Sequence, residues 1–269
     1  MRVTFHGVRG SLPASTPQTS RYGGHTLCIE IASGDASMVL IDGGTGITRV
    51  DPGGLDAVSE FHVLLTHYHW DHIQGLPFFP PLYDEANTFT LYGHSWDGLG
   101  PREILDQALR PPFFPVSIET TAALKRYVTV ASTVLQIGGL TITTAPLHHP
   151  QGVTAYRVDG PSRSIVIATD CEHGDARADD ALRTLATGAD VLVHDGQYGP
   201  EEYEQHRIGW GHSTWEQATR VAREAGVGEL ILISHDPART DDGIDSFVAR
   251  AREAFTNTRA AFEGMQLEL

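Results

Sequence analysis

The stretch Thr66-His67-Tyr68-His69-Trp70-Asp71-His72 places four candidate metal ligands within six residues, directly after the apolar run at residues 61–65. Short β-branched and leucine-rich runs are typical of buried strands, so the stretch is predicted to lie where a strand ends and a helix begins. In extended backbone His67 and His69 point the same way and can reach one cation, and the following turn brings Asp71 and His72 towards a second. Imidazole and carboxylate ligands favour zinc, with manganese or iron as alternatives. The sequence therefore predicts two divalent metal ions.

Composition excludes several classes of protein. The chain has 269 residues, 41% of them hydrophobic, and no apolar run near the roughly 20 residues that a membrane span requires. No signal-peptide core follows Met1, so a soluble cytoplasmic protein is expected. A formal net charge of −15 opposes an extended nucleic-acid-binding face. No repeat or long linker divides the chain, and residues 1–269 are predicted to form a single domain.

The first half of the chain supplies several predicted strands. Residues 3–8 are predicted to form an edge strand, and residues 27–31 and 38–41 form two strands joined by a turn at residues 33–35. The last of these strands ends at Asp42, before a glycine-rich loop. Asp42 is as suited to orienting a turn as to supporting a ligand, and we favour the support of a ligand.

The second half repeats one pattern, in which an apolar strand ends in a potentially reactive residue. Residues 165–169 lead to Asp170, residues 191–193 lead to His194 and Asp195, and residues 230–234 lead to His235. Predicted helices alternate with these strands, as in an α/β sheet, where crevices form beyond the carboxyl ends of the strands. The strand ends are therefore expected to converge with His67 on one site.

The motif at residues 67–72 resembles the His-x-His-x-Asp-His signature of the metallo-β-lactamase superfamily, and the likeness extends over nearly the whole chain. It implies an α/β fold in the form of a four-layer αββα sandwich. It also implies a ligand set, with His67, His69 and His149 on the first ion, Asp71, His72 and His235 on the second, and Asp170 bridging both. His149 is preferred to His148 because phosphodiesterase members carry a tyrosine seven residues after this histidine, and Tyr156 stands at that distance from His149.

The stretch Gly-Trp-Gly-His-Ser-Thr-Trp-Glu at residues 209–216 resembles the motif that carries the phosphate-contacting histidine of ribonuclease Z and related phosphodiesterases. Ser213 and Glu216 have the spacing of a capping box, which predicts a helix start with outward backbone N–H groups and hence an anion site. His212 and Ser213 are the candidate phosphate contacts. The resemblance makes Asp195 the partner of His212, where ribonuclease Z has a glutamate, and Asp71, His212 and Asp195 are the candidate catalytic residues.

These features resemble the ribonuclease-Z-like branch that includes cyclic phosphodiesterases. The resemblance implies a dinuclear metal-dependent phosphodiesterase whose metal-bridging hydroxide attacks a small anionic phosphodiester, such as a cyclic nucleotide or cyclic ribose phosphate. The alternatives are a ribonuclease-Z-like transfer-RNA 3′ endonuclease, a thioester or lactone hydrolase, and a metal-stabilised sensor without turnover. The negative charge and the lack of a long arm between Tyr156 and Asp170 disfavour transfer RNA. A homodimer is left open.

Overall fold

The computed structural model describes residues 1–32, 37–51 and 58–269, and the turn predicted at residues 33–35 lies outside them. The strands are β1 Arg2–Gly7, β2 Cys28–Ala32, β3 Ser37–Ile41, β4 Glu60–Leu64, β5 Thr88–Gly93, β6 Leu124–Thr129, β7 Val134–Ile137, β8 Leu140–Leu147, β9 Val153–Asp159, β10 Ser164–Ala168, β11 Val191–Asp195, β12 Glu229–Ile233, β13 Thr258–Ala260 and β14 Gln266–Glu268. The helices are α1 Trp70–Ile73, α2 Pro101–Ala108, α3 Ala176–Ala186, α4 Pro200–His206, α5 Trp215–Ala225 and α6 Asp241–Ala254. Across the described ranges, no helix has both the length and the apolar character needed to cross a membrane.

Within these described residues the strands form two seven-stranded sheets. The order in the first sheet is β14-β1-β2-β3-β4-β5-β6, and the order in the second is β13-β12-β11-β10-β9-β8-β7. Strands β3, β4, β5 and β6 run parallel to one another, as do β10, β11, β12 and β13. The remaining pairs of adjacent strands are antiparallel. Each sheet thus has one parallel block, and the strands of a parallel block all end at the same edge.

The alternation of side chains along β10 shows how the layers pack. Ile165 and Ile167 enter the core between the two sheets, while Val166 and Ala168 enter a second core that also contains residues of α3, α5 and α6. A third core lies on the outer face of the first sheet and includes Leu105 of α2. Helix, sheet, sheet and helix therefore form the predicted αββα sandwich, in which β-strands buried on both faces are apolar on both faces.

The prediction that residues 3–8 form an edge strand is wrong. β1 lies between β2 and β14, and Val3 is paired with Leu267 of β14. The strand-forming character of residues 266–268 is weak in the sequence because the segment is only three residues long. A short C-terminal strand of this kind protects the first sheet from edge-to-edge pairing.

Candidate metal centre and active site

The candidate site lies where the parallel blocks of the two sheets end. His67 and the residues that follow it come after β4, Asp170 comes after β10, and Asp195 is the last residue of β11. Three sets of side chains bring one ligand atom each to within 4.8 Å of one another: His67, His69 and His149; His67, His72 and Asp170; and Asp170, Asp195 and His212. The structure thus brings together residues that are dispersed along the chain from position 67 to position 212.

His67, His69 and His149 form what we call the imidazole side of the site. Nε2 of His149 lies 3.1 Å from Nδ1 of His69, and Nδ1 of His149 donates to the carbonyl oxygen of Gly211 at 2.7 Å. Burial lowers the pKa of His149 to about 4, and burial together with the charge on His72 lowers the pKa of His67 well below its ordinary value. A lowered pKa favours the neutral imidazole, which is the form that binds metal ions. His148, in contrast, is exposed.

The surroundings of His67 show whether a cation fits on the imidazole side. Among the described residues, its buried Nε2 atom has no hydrogen-bond partner, and it lies 4.0 Å from Oδ2 of Asp170. A buried nitrogen without a partner is unfavourable, since its contact with water has been lost and not replaced. A divalent cation placed between the imidazoles would satisfy this lone pair, so the residues fit a metal ion.

The carboxylate side comprises Asp42, Asp71, His72, Asp170, Asp195 and His212. Nε2 of His72 lies 3.1 Å from Oδ2 of Asp170 and 3.2 Å from Oδ2 of Asp71. Burial opposes a charge on His72, but the surrounding carboxylates outweigh it and raise the pKa of His72 well above its ordinary value. Burial likewise opposes a charge on Asp170, but the nearby histidines hold the pKa of Asp170 well below its ordinary value. Four carboxyl groups face two imidazoles here, an arrangement that attracts cations.

Asp42 fixes the orientation of His72 on the carboxylate side. Its Oδ2 atom lies 2.7 Å from Nδ1 of His72, and its carboxylate accepts hydrogen bonds from the backbone N–H of Thr66 at 2.7 Å and from the Thr66 hydroxyl at 2.8 Å. His72 is therefore oriented with Nε2 towards Asp71 and Asp170. This is the supporting contact favoured for Asp42 on sequence grounds, and such contacts fix the orientation of a histidine that binds metal.

Three residues at strand ends adopt left-handed backbone conformations. Asp42 follows β3 with φ 62°, Asp170 follows β10 with φ 49°, and Ser234 follows β12 with φ 59°. Residues other than glycine rarely adopt such values, and aspartate tolerates them better than most. The hydroxyl of Ser234 donates to Oδ1 of Asp170 at 2.8 Å. The turn that ends each strand thus aims a polar side chain into the site.

His212 faces two carboxyl groups, that of Asp195 at the end of β11 and that of Asp170 just after β10. Its Nδ1 atom lies 2.7 Å from Oδ2 of Asp195, and its Nε2 atom lies 3.9 Å from Oδ2 of Asp170. Burial disfavours the charged imidazole, but Asp195 and Asp170 together raise the pKa of His212 to about 9. Asp195 is itself held by the backbone N–H of Gln197 at 2.9 Å. This raised pKa favours a positively charged His212 at neutral pH, with Nε2 facing Asp170.

His235, predicted as a ligand of the second ion, is not in any of the three sets formed by the described residues. Its Nε2 atom donates to the carbonyl oxygen of Ala261 at 2.9 Å, and its ring meets that of Tyr22 edge-on. Ser234, with its left-handed backbone, directs its hydroxyl to Asp170, whereas His235 directs Nε2 to Ala261. If His235 binds a metal ion, it would do so through Nδ1, and this ligand role stays a prediction.

The helix after His212 begins one residue later than predicted. Thr214, not Ser213, is the N-cap of α5, and its partner in the capping box is Gln217 instead of Glu216. The hydroxyl of Ser213 is occupied because it donates to the carbonyl oxygen of Cys171. The predicted capping box at Ser213 is therefore wrong. A phosphate contact by the Ser213 side chain would require this hydrogen bond to break.

The partners of two supporting contacts could not be predicted from the sequence. The carboxylate of Glu172 accepts hydrogen bonds from the backbone of Gly209 at 2.6 Å and of Gly211 at 2.8 Å, which fixes the carbonyl that orients His149. The backbone N–H of Ser11 donates to Oδ2 of Asp71 at 2.7 Å. Asp71 is thereby placed beside His72. No local spacing signals contacts of this kind, since they join segments far apart in the chain.

The fold and this cluster of histidines and aspartates define the class of protein. Residues 38–235 match the β-lactamase superfamily domain, which is more than half of the chain. The chain belongs to the metallo-β-lactamase superfamily, and with its His/Asp groups it is a metal-dependent hydrolase.

Individual relatives align with most of the length of the chain. The chain is 28% identical to the probable metallo-hydrolase YhfI of Bacillus subtilis (strain 168) over 242 residues, which covers 86% of both chains. It is 28% identical to ribonuclease BN of Escherichia coli (strain K12) over 264 residues, which covers 80% of this chain and 81% of the relative.

Solved structures show the same fold. The crystal structure of YhfI from Bacillus subtilis superimposes with a TM-score of 0.75 at 23% identity and covers 100% of this chain and 98% of that one. The crystal structure of a diphosphatase from the PhnP family gives a TM-score of 0.73 at 18% identity and covers 100% and 97%. At these identities the likeness concerns the fold alone.

Proposed function

We propose that the protein is a phosphodiesterase that hydrolyses a small phosphodiester, with a cyclic nucleotide or a cyclic ribose phosphate as the favoured substrate. The observation that carries this proposal is the pairing of His212 with Asp195 at 2.7 Å, beside Asp170. Such a pair provides a cationic N–H donor next to a metal site. Hydrolysis of a phosphodiester needs a donor of this kind because the alkoxide that leaves is strongly basic.

The proposal assigns the metal ligands as follows. His67, His69 and His149 would hold one ion, and Asp170 would be shared. Asp71, His72 and His235 would hold the other. The ions would be zinc, with manganese or iron as alternatives, since the donors are imidazole nitrogen and carboxylate oxygen. When bound, they would supply Lewis acidity towards the phosphoryl group and a nucleophile active at neutral pH.

His212 has two roles in this scheme, and both follow from its hydrogen bond to Asp195. Because Nδ1–H is directed at Asp195, the Nε2–H bond of the charged ring is directed into the site on the side of Asp170. There it stabilises negative charge on the phosphoryl oxygens or transfers its proton to the leaving oxygen. Asp195 keeps the ring in this orientation and stabilises its positive charge.

The same geometry bears on the alternative functions. A thiolate leaving group departs without a proton, so a thioesterase would have little use for the pair of His212 and Asp195. Cleavage of RNA is suggested by the relative named ribonuclease BN. Only residues 160–163 join β9 to β10, however, so the connection that would hold a long arm is a tight turn, with the Gly160 N–H donating to the Arg163 carbonyl at 2.9 Å. The net charge of −15 also favours a small substrate.

The proposal is tested with His212→Ala and two substrate types on enzyme loaded with zinc or manganese. A cyclic nucleotide has an alkoxide leaving group, whereas bis(4-nitrophenyl) phosphate releases nitrophenolate, which departs without a proton. We expect His212→Ala to keep its metals and to lose roughly 10²- to 10⁴-fold in turnover of the cyclic nucleotide. The loss on the nitrophenyl ester should be clearly smaller if His212 acts as the acid.

His206→Ala is the matched control, because His206 is exposed at the end of α4. An equal loss on both substrates would assign His212 to stabilising the phosphoryl oxygens instead of to proton transfer. Hydrolysis of a thioester or a transfer-RNA precursor much faster than of any small phosphodiester would refute the proposed function.

A further inference from the structure

A small cavity adjoins the imidazole side. Its volume is about 180 Å³, and His67 and His69 form part of its wall. The rest of the wall includes Tyr68, Trp96 and Ile104. Because two of the wall residues belong to the proposed metal site, a group that occupies this cavity lies next to the phosphoryl group undergoing hydrolysis.

The aromatic part of the wall is held rigidly. The Tyr68 hydroxyl donates to the carbonyl oxygen of His94 at 2.5 Å, and a Cβ atom at Gly93 would come within 2.3 Å of that hydroxyl. Backbone hydrogen bonds of 3.0 and 2.9 Å between Trp96 and Leu99 fix the turn that carries the indole. Trp96 is nonetheless 47% exposed. A fixed and exposed aromatic surface beside a reaction centre is suited to stacking on a flat ring.

The size of the cavity limits what it can bind. Pockets for drug-sized ligands have volumes of roughly 300–1,000 Å³, so about 180 Å³ suits one ring system. The wall also contains Gln151, whose Oε1 atom lies 3.0 Å from Nε2 of His69 and whose amide offers an N–H donor. The aromatic and apolar surface of Tyr68, Trp96 and Ile104 matches the faces of a nucleobase, and polar groups such as the amide of Gln151 match its edge.

The position of His212 relative to the cavity indicates how a substrate would lie in the site. The ring centroid of His149 lies 4.9 Å from that of His69 and 5.5 Å from that of His212, and neither His149 nor His212 is part of the cavity wall. A phosphoryl group held at the site therefore lies near His212, while the cavity adjoins the site at His67 and His69. We propose that this cavity binds the base of a nucleoside attached to the scissile phosphate, so that the substrate is a nucleotide diester. This proposal rests on the proposed phosphodiesterase function and specifies its substrate class.

The kinetic test keeps the leaving group constant. Thymidine 5′-(4-nitrophenyl phosphate) and methyl 4-nitrophenyl phosphate both release nitrophenolate, and only the first carries a base. We expect Trp96→Ala to lower kcat/KM for the thymidine ester about tenfold, mainly through KM, and to leave the methyl ester unchanged, because a base stacked on an aromatic ring loses its partner. Trp96→Phe should retain most of the preference.

Phe113→Ala is the control for loss of an exposed aromatic residue, since Phe113 is 70% exposed and lines a separate groove with Phe78. It should affect neither ester. If Trp96→Ala slows both esters equally, or neither, the base-binding cavity is refuted while the phosphodiesterase function stands.

A binding measurement separates the two proposals completely. Calorimetric titration of the metal-loaded protein with thymidine 5′-phosphate and with ribose 5-phosphate reports the contribution of the base without any turnover. We expect thymidine 5′-phosphate to bind about tenfold more tightly, and Trp96→Ala to remove the difference. Equal affinities in the wild-type protein would overturn the assignment of the cavity even if diesters are hydrolysed. A clear preference for the nucleotide would support it even if the diesters tested are not.

Discussion

The imidazole side and the carboxylate side of the site lie next to each other, yet burial affects their histidines in opposite ways. On the imidazole side burial dominates and lowers the pKa values of His67 and His149. On the carboxylate side the pKa values of His72 and His212 rise, because Asp71, Asp170 and Asp195 outweigh the effect of the same degree of burial. The pKa values of buried histidines in one site are therefore lowered or raised according to how many carboxylates lie beside them and how closely.

The difference indicates what each side does. Neutral imidazoles with one nitrogen already bonded, as in His149, need only a cation to complete their contacts. On the other side His72 and His212 lie against carboxylates, which raise their pKa values. Metal binding by His72 is expected to require the loss of its proton.

The largest expected effect comes from the residue that joins the two sides. Asp170→Asn removes the charge of the shared carboxylate but suits the left-handed backbone at this position, since asparagine tolerates it as aspartate does. We expect loss of at least one ion per chain and a fall in turnover of more than about 10³-fold. Elemental analysis and kinetics on the same preparation measure both. Full metal content in Asp170→Asn would show that the carboxylate is not shared.

The next effect should be confined to the imidazole side. His149→Ala should abolish binding of the ion held there, whereas His148→Ala should leave metal content unchanged, since His148 is exposed and His149 is buried in the cluster. Metal titration of the two variants in parallel distinguishes them. If the two results were interchanged, the choice of His149 from its distance to Tyr156 would be incorrect.

A smaller effect should follow from displacing His149 without removing it. A Cβ atom at Gly211 would lie 2.2 Å from Nδ1 of His149, so Gly211→Ala should weaken binding of the same ion by roughly 10- to 100-fold, as is usual when the orienting partner of a ligand is lost. Gly209→Ala is a close control because Gly209 also has a positive φ, 83°, but no atom lies within 4 Å of its added Cβ. Equal weakening in both variants would mean that backbone strain, and not the clash, is responsible.

The smallest effect concerns the pH dependence of the metal-free protein. Because the pKa of His212 is about 9 in the folded state and near 6.5 when unfolded, its ion pair stabilises the fold fully below about pH 6.5. That stabilisation is lost as pH rises towards and past 9. In Asp195→Asn the loss between pH 6.5 and 9.5 should be smaller by about 1 kcal/mol, the equivalent of roughly one pKa unit. Urea denaturation of both proteins at the two pH values measures it, and identical pH slopes would contradict the ion pair.

Most of the strands could be predicted because apolar runs and the polar residues at their ends are local patterns, whereas the sandwich was implied by the resemblance of the motif at residues 67–72. The ends of β4, β10 and β11 brought His67, Asp170 and Asp195 together as expected. The start of α5 was placed one residue early, since Ser213 and Thr214 are both good N-caps and only the tertiary contact of Ser213 with Cys171 decides between them.

Other features could not be read from the sequence because they depend on contacts between distant segments. His235 and Ser234 occupy the same strand end, where the left-handed backbone of Ser234 brings its hydroxyl to Asp170 while His235 bonds to Ala261. Nothing in the spacing predicts this backbone conformation. Glu172 binds the backbone of residues 37 and 39 positions away, and the sequence gives no signal for a bond to backbone N–H groups.

The distances along the chain between site residues also determine when the site can form during folding. His72 is 98 residues from Asp170, and His69 is 80 residues from His149, so each contact closes a long loop. In the unfolded chain a cation would find only the ligands of residues 67–72 close together. Pairing of the strands and packing of the two sheets on their common core must therefore come first, as in other folds dominated by distant contacts. Metal ions are therefore expected to bind after the fold has formed.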